Sequence, residues 1–84
     1  MTMADFEDNP PQSDTLTDYD ERNFITYIRM LDANAEGADW HEVANILFGI
    51  DANAEPHRAK LVHDNHLARA KWMTESGYRH LLAR

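Results

Sequence analysis

The stretch DWHEVANILFGIDANAEPHRAKLVHDNHLARAKWM, residues 39–73, contains the pattern that decides the fold. It begins with Asp39, an N-cap residue followed by a glutamate at the spacing of a capping box. Gly49 ends that short helix, and Pro56 is a residue that the first turn of the next helix tolerates. The connecting segment 50–55 is longer than the three or four residues of a usual helix-turn-helix, so the stretch predicts a variant of that motif with an extended turn.

Amphipathic segments on both sides complete the predicted domain. Upstream, Thr17 or Asp18 can cap a helix whose apolar stripe is Phe24, Tyr27, Ile28, Leu31 and Ala35. The helices are predicted at about 18–36, 39–48, 56–76 and 78–83. No segment alternates as a strand does. The fold class predicted is therefore all-α, a small helical bundle that contains the extended-turn helix-turn-helix variant.

The apolar residues of the helix-turn-helix unit predict which faces are buried. In the short helix, Val43, Ile46, Leu47 and Trp40 are expected to face inward. In the long helix the pattern is untidy, with one stripe of Leu61, Ala68 and Trp72 and further apolar residues at Val62, Leu67 and Met73 on either side. A break or bend inside that helix is one way to accommodate the pattern.

The N-terminal segment differs in composition from the rest of the chain. Residues 1–16 contain the Pro10-Pro11 pair, several acids and few large apolar side chains, so they cannot bury enough surface to offset the entropy of ordering. We therefore predict a disordered acidic tail at 1–16 and a folded domain at 17–84. The tail is interpreted as a solubilising leader, with a DNA-mimicking or partner-binding arm as the alternative.

Length and charge restrict the classes of function. Eighty-four residues support a single core, and the absence of cysteine excludes disulfides and thiolate metal sites. No secretory signal or membrane span is recognisable, so a cytoplasmic location is expected. The net charge is −7, and residues 1–21 alone carry seven acids without a Lys or Arg. Residues 22–55 are also acidic, whereas residues 56–84 carry six basic side chains against two acids.

The sequence contains few of the motifs that are typical of enzymes or of cofactor-binding proteins. No nucleophile elbow or glycine-rich phosphate loop is present, so we expect no enzyme activity and no cofactor. His57, His63 and His66 are spaced so that a metal-binding sensor is conceivable. Histidines on an exposed helix face are the simpler interpretation, and the prediction is that no metal site exists.

DNA binding is the alternative function that the helix-turn-helix pattern suggests. The second helix of such a unit enters the major groove, and here it carries Arg58, Lys60, Arg69 and Lys71. Its central positions, residues 63–66, read His-Asp-Asn-His, and the preceding chain is strongly acidic. Because phosphate neutralisation dominates affinity for DNA, this composition predicts weak binding at best.

Two segments carry a resemblance to a known family: LDANAEGADWHEVANILFG at residues 31–49 and GYRHLL at residues 77–82. Over residues 22–83 the chain resembles a proteobacterial family of domains long labelled as of unknown function. The resemblance implies an extended-turn helix-turn-helix variant. Members of that family occur in transcriptional activators of conjugative-element excision and transfer and in activators of secretion genes.

Within that family, a stand-alone acidic chain is similar to the QseM-type antiactivators. The resemblance implies a protein that binds the N-terminal domain of an FseA-like transcriptional activator, blocks activation and so restrains horizontal gene transfer, with a quorum-sensing regulator as a further candidate partner. Activating members line the helix corresponding to residues 61–70 with arginines. This sequence instead has Asp64, Asn65 and Ala68 there, which places a DNA-binding role in doubt.

Aromatic and arginine side chains dominate binding energy at protein interfaces and therefore supply the candidate partner-binding residues. They are Tyr27, Trp40, Trp72, Tyr78 and Arg79. The competing interpretation is that these side chains build the core, since a domain of this size has few other large residues to do so.

Overall fold

The computed structural model describes residues 6–77, and its first helix begins at Asp18. The elements are α1 (Asp18–Arg22), α2 (Phe24–Ala35), α3 (Trp40–Phe48), α4 (Pro56–Trp72) and α5 (Met73–Gly77), the last a single turn of π-helix. Residues 6–77 contain no strand, and the predicted all-α class is confirmed. The helix predicted at 78–83 lies outside the described residues.

The first predicted helix is divided into α1 and α2 at Asn23. Thr17 and Asp20 form a complete capping box at the start of α1, because each side chain pairs with the backbone N–H of the other residue. The amide of Asn23 donates to the carbonyl oxygen of Tyr19 at 3.0 Å. A side chain that bonds to the backbone in this way competes with the regular helical pattern, which accounts for the break.

The helix-turn-helix unit has the extended turn that its sequence predicts. Asp39 caps α3 and accepts a hydrogen bond from the backbone N–H of His41 at 2.9 Å. Gly49 ends α3 in the left-handed conformation, with φ of 66°. Ile50 and Ala52 in the turn are buried, and Pro56 begins α4. The turn is thus packed into the core and sets the position of α4.

α4 is the central helix and packs against both α2 and α3. Its buried residues are Ala59, Val62, His66, Arg69 and Ala70. The stripe predicted from Leu61 and Ala68 is wrong, because both residues are exposed. Two polar side chains lie on the inner face of α4, so apolar periodicity alone could not locate that face. The inward orientation expected for Ile46 on α3 is also wrong, since its side chain is exposed.

The buried face of α2 agrees with the predicted one only in part, since Tyr27 belongs to the predicted stripe and is buried whereas other members of the stripe are exposed. Tyr27 and Met30 are fully buried. Phe24 and Ile28, which the sequence assigns to the core stripe, are exposed to 39% and 38%. They line an apolar groove with Leu16 and other residues, described below.

Residues 6–16, here called the acidic strap, have no regular secondary structure but lie against the helices. The ring of Phe6 contacts that of Phe48 edge-on, with centroids 5.0 Å apart, and Pro10 is buried. The prediction of a free tail is therefore corrected for this segment, although the lack of regular structure agrees with its two prolines. The strap has too few apolar side chains to form a core of its own, and it packs instead against side chains of α3 and α4.

Candidate nucleic-acid interface

The outward face of α4 is where a helix-turn-helix protein contacts DNA. Its exposed side chains are His57, Arg58, Lys60, Leu61, Asp64, Ala68 and Lys71. Three of the four basic residues predicted as DNA contacts belong to this set. Their surroundings decide whether they can act as phosphate ligands.

Lys60 is paired along its own helix. Its ammonium nitrogen lies 2.9 Å from a carboxylate oxygen of Asp64, four residues on, and 5.2 Å from the centre of the Trp40 ring. Burial raises the pKa of the Asp64 carboxyl, but hydrogen bonds from His63 and Lys60 together outweigh it and hold the pKa below its usual value. The pair therefore presents little net positive charge to a phosphate.

Arg58 is paired with the acidic strap. Its Nε donates to both carboxylate oxygens of Asp8 at 3.2 Å, and its Nη2 donates to one of them at 3.1 Å. Glu55 lies 3.7 Å away on the same guanidinium. The hydrogen bonds that Arg58 donates to Asp8, together with the negative charge of Asp8, raise the pKa of Arg58 further above its ordinary value. The Asp8 carboxylate thus occupies the position on the Arg58 guanidinium that a DNA phosphate would take.

Arg69 is not a surface residue, and the prediction that it contacts DNA is wrong. It is buried, and its Nε and Nη2 donate to the two carboxylate oxygens of Asp20 at 3.0 and 2.7 Å. Tyr27 donates its hydroxyl to the same carboxylate at 2.7 Å. Burial raises the pKa of Asp20, but hydrogen bonds from Arg69, Thr17 and Tyr27 outweigh it and hold the pKa below the usual range. This network joins α1, α2 and α4.

Lys71 remains exposed on the same helix. Within residues 6–77 it forms no ion pair. Of the four predicted DNA contacts, Lys71 is thus the cation that the described part of the chain leaves open to an anionic ligand.

The predicted partner-binding residues differ in how far they are exposed to solvent. Tyr27 has no exposed surface, so its assignment to a partner interface is wrong. Trp40 and Trp72 are partly exposed, the first stacked on His41 at 3.8 Å and the second beneath the Arg69 guanidinium at 3.8 Å. Tyr78 and Arg79 lie outside the described residues. Both tryptophans thus keep part of their surface exposed.

The histidines do not form the metal site considered as an alternative. His66 is buried and both ring nitrogens have partners: Nδ1 lies 2.7 Å from the Val62 carbonyl oxygen and Nε2 lies 2.6 Å from the Tyr19 hydroxyl. Ligation of a metal requires the loss of one of these bonds. His63 is paired with Asp64. Within residues 6–77 no three His, Asp or Glu side chains converge in the manner of a metal site.

The buried His66 leads to a prediction on pH. Burial lowers its pKa, although the Val62 carbonyl and the charge of Asp8 act in the opposite direction. Below pH of about 6.5 the unfolded chain takes up this proton more readily than the folded one, so stability is full above that pH and is lost as pH falls. Urea unfolding at pH 7.5 and 5.5 is expected to show a smaller loss for His66→Gln than for the unchanged protein. An equal loss in both would contradict a neutral, buried His66.

An apolar groove lies between α1, α2 and α5. Its volume is about 530 Å³, and its lining residues are Leu16, Asp20, Glu21, Phe24, Ile28, Met73 and Thr74. Sequence reasoning missed this groove because Phe24 and Ile28, four residues apart, have the spacing of core residues. Beside them on α2, the side chain of Ile25 is 66% exposed.

Comparison with known families places these observations in context. The family model RovC_DNA-bd, described as "T6SS, Transcription factor, DNA binding domain", matches residues 3–83. The chain belongs to this family. The match begins within the N-terminal segment, whereas the resemblance seen in the sequence began at residue 22, so the strap lies inside the family region. No curated protein matches the chain.

Membership in the family supports several of the coarser predictions. The family is a class of transcription-factor domains that bind DNA, not a class of enzymes, and transcription regulation is the role that it supports. The helix-turn-helix unit at α3 and α4 is the part of the fold suited to DNA. Among residues 6–77, no helix is both long and apolar enough to span a bilayer.

Proposed function

We propose that this protein regulates transcription as an antiactivator: it binds a transcriptional activator and blocks activation, with little affinity for DNA of its own. The observation that carries the proposal is the state of the basic residues on α4. Arg58 is bound by Asp8, Lys60 by Asp64, and Arg69 is buried against Asp20. A domain from a DNA-binding family therefore has the shape of a DNA reader, but of its four predicted phosphate ligands only Lys71 is left open among the described residues.

Electrostatics at longer range support the same proposal. Proteins that bind DNA gain most of their affinity from neutralising phosphates with Lys and Arg. This chain has a net charge of −7, and the strap places acids alongside α4. A polyanion is therefore repelled by the whole molecule, whereas a protein partner with a basic surface is attracted.

The partner we propose is the N-terminal domain of an FseA-like activator of conjugative-element excision and transfer. In such an activator that domain accompanies a DNA-binding domain of this family. A second protein with a domain of the same fold can compete for the docking site between the two, because it presents a related surface. Competition of this kind requires no catalysis and no cofactor.

The exposed apolar surface of α2 is the contact region we assign to the activator. Ile25 is largely exposed, and Phe24 and Ile28 beside it line the apolar groove. Contiguous exposed apolar surface on a small protein is typical of protein interaction sites. Burying it against a partner removes this area from water and favours association.

A binding assay with the activator's isolated N-terminal domain tests the proposal. We expect calorimetry to detect a complex at micromolar concentrations, and the absence of a complex would contradict the proposed antiactivator function. Ile25→Asp should weaken the complex at least tenfold. Ile46→Asp is the matched control, since Ile46 is equally exposed at 67% but lies on α3. Equal weakening by both substitutions would remove α2 from the interface. The same assay with a quorum-sensing regulator tests that second partner.

The family match favours a second candidate function, direct DNA binding by α4. In that case the unchanged protein binds its promoter duplex, and the affinity falls steeply with salt. Reversing the charges of Arg58, Lys60 and Lys71 together should abolish the complex. Arg69 is omitted because it is buried. Tight, salt-dependent binding by the unchanged chain at physiological salt would establish this function in place of antiactivation.

A further inference from the structure

The acidic strap contacts one continuous stripe of α4. Asp8 accepts from Arg58, and the Asn65 amide donates to the side-chain oxygen of Asn9 at 2.8 Å. Farther along, Arg69 Nη1 donates to the backbone carbonyl of Ser13 at 2.6 Å. From residue 58 to 69 the stripe extends over about 16 Å of helix. The strap therefore lies along a flank of α4 and bonds to successive donors there.

Apolar contacts and neutral hydrogen bonds anchor the strap in addition to charge. Phe6 packs on Phe48 and lies edge-on to His66, with 6.4 Å between those ring centres. The backbone N–H of Glu7 donates to the Tyr19 hydroxyl at 2.9 Å. With Phe6 and Pro10 packed against the helices, Asp8 is held in place beside Arg58 and is not merely attracted from solution.

The groups that the strap occupies are those that bind phosphate in other proteins. A guanidinium donates two parallel hydrogen bonds to a carboxylate or to a phosphate with the same fork geometry. Arg58 uses that geometry on Asp8, and Asn65 adds a neutral N–H donor farther along the same flank. Two parts of the strap thus stand in for a phosphodiester: the Asp8 carboxylate and the side-chain oxygen of Asn9.

We infer that the acidic strap is an internal competitor that covers an anion-binding flank of α4, and that a phosphodiester backbone binds this flank when the strap is displaced. The strap lies within the region that matches the DNA-binding family, so both the flank and its cover belong to one domain. Low affinity for DNA then has a specific origin in the Asp8–Arg58 pair, beyond the net charge of the chain. This mechanism is independent of the proposed activator complex.

The test compares two substitutions that make the same change of charge in the full chain. Asp8→Asn removes the carboxylate from Arg58, whereas Asp14→Asn removes an exposed carboxylate of the same strap that forms no ion pair within residues 6–77. The probe is a fluorescein-labelled 20-base-pair DNA duplex of random sequence, followed by anisotropy at low salt. We expect Asp8→Asn to bind several-fold more tightly than Asp14→Asn, with a salt slope steeper by about 0.9, as one added phosphate contact requires.

Two further variants identify the cause of any gain. Adding Arg58→Ala to Asp8→Asn should return the affinity to that of Asp14→Asn. Phe6→Ala, which loosens the strap without altering charge, should also raise the affinity. Equal affinities for the two Asp→Asn variants, or a gain that survives Arg58→Ala, would overturn the inference, as would the absence of binding by every variant. None of these outcomes bears on the activator assay, which uses the unchanged strap.

Discussion

Replacing Arg69 by alanine is expected to lower the free energy of unfolding by about 3–5 kcal/mol, as the loss of one partner of a buried ion pair does. The substitution leaves the Asp20 carboxylate buried without its guanidinium. It also frees the carbonyl oxygens of Ser13 and Thr15, which accept from Arg69 at 2.6 and 3.0 Å. Urea unfolding followed by circular dichroism at pH 7 measures the change.

Arg58→Ala is the matched control, because it removes an arginine from the same helix together with its ion pair. That pair is exposed, and solvent screens it, so little change in stability is expected. A double variant, Asp20→Leu with Arg69→Leu, should be more stable than Arg69→Ala, since no uncompensated charge remains buried. A loss of similar size for Arg58→Ala and Arg69→Ala would show that the buried network does not hold the helices together.

The caps and turns of this fold are predictable because their causes are local. Asp39, Gly49 and Pro56 each act on the backbone within a few residues: the first caps α3, the second ends it and the third begins α4. The Thr17 capping box is likewise visible in four consecutive residues. The helix-turn-helix unit could thus be read from the sequence, including its extended turn.

The buried faces were less predictable because polar residues occupy core positions. His66 and Arg69 lie on the inner face of α4, where periodicity arguments place apolar residues. Their hydrogen-bond partners, Tyr19 and Asp20, are 47 and 49 residues away in the chain. No local pattern identifies such pairs, and without them a histidine and an arginine look like surface residues.

The candidate site shows the same division between local and distant causes. The sequence identifies the basic residues of α4, since composition alone shows them. It does not show that Asp8, fifty residues upstream, is bonded to Arg58 or that Arg69 is enclosed. The segment containing Asp8 looked too polar to fold, because the apolar partner of Phe6 belongs to α3. Net charge predicted weak DNA binding, whereas the structure shows which carboxylates pair with the basic residues of α4.

Phe48→Ala is expected to destabilise the fold by about 3–5 kcal/mol, since truncating a buried aromatic side chain leaves a cavity. Phe48 is 4% exposed and its ring contacts those of Phe6 and His66, with centroids 5.0 and 4.8 Å away. Ile46→Ala on the same helix is the control, and only a small change is expected because Ile46 is exposed. Chemical denaturation of both variants provides the comparison.

The Phe48 substitution also removes the surface on which the strap is anchored. A double-mutant cycle with Phe6→Ala should give a coupling of about 0.5–1.5 kcal/mol, the range measured for aromatic pairs in contact. The ring contact with Phe6 is the direct reason for this coupling. A coupling near zero would mean that Phe6 does not hold the strap, and Asp8 would then reach Arg58 through charge alone. In that case the Asp8–Arg58 ion pair should dissociate at high salt, whereas an anchored strap keeps Asp8 beside α4 even at high salt.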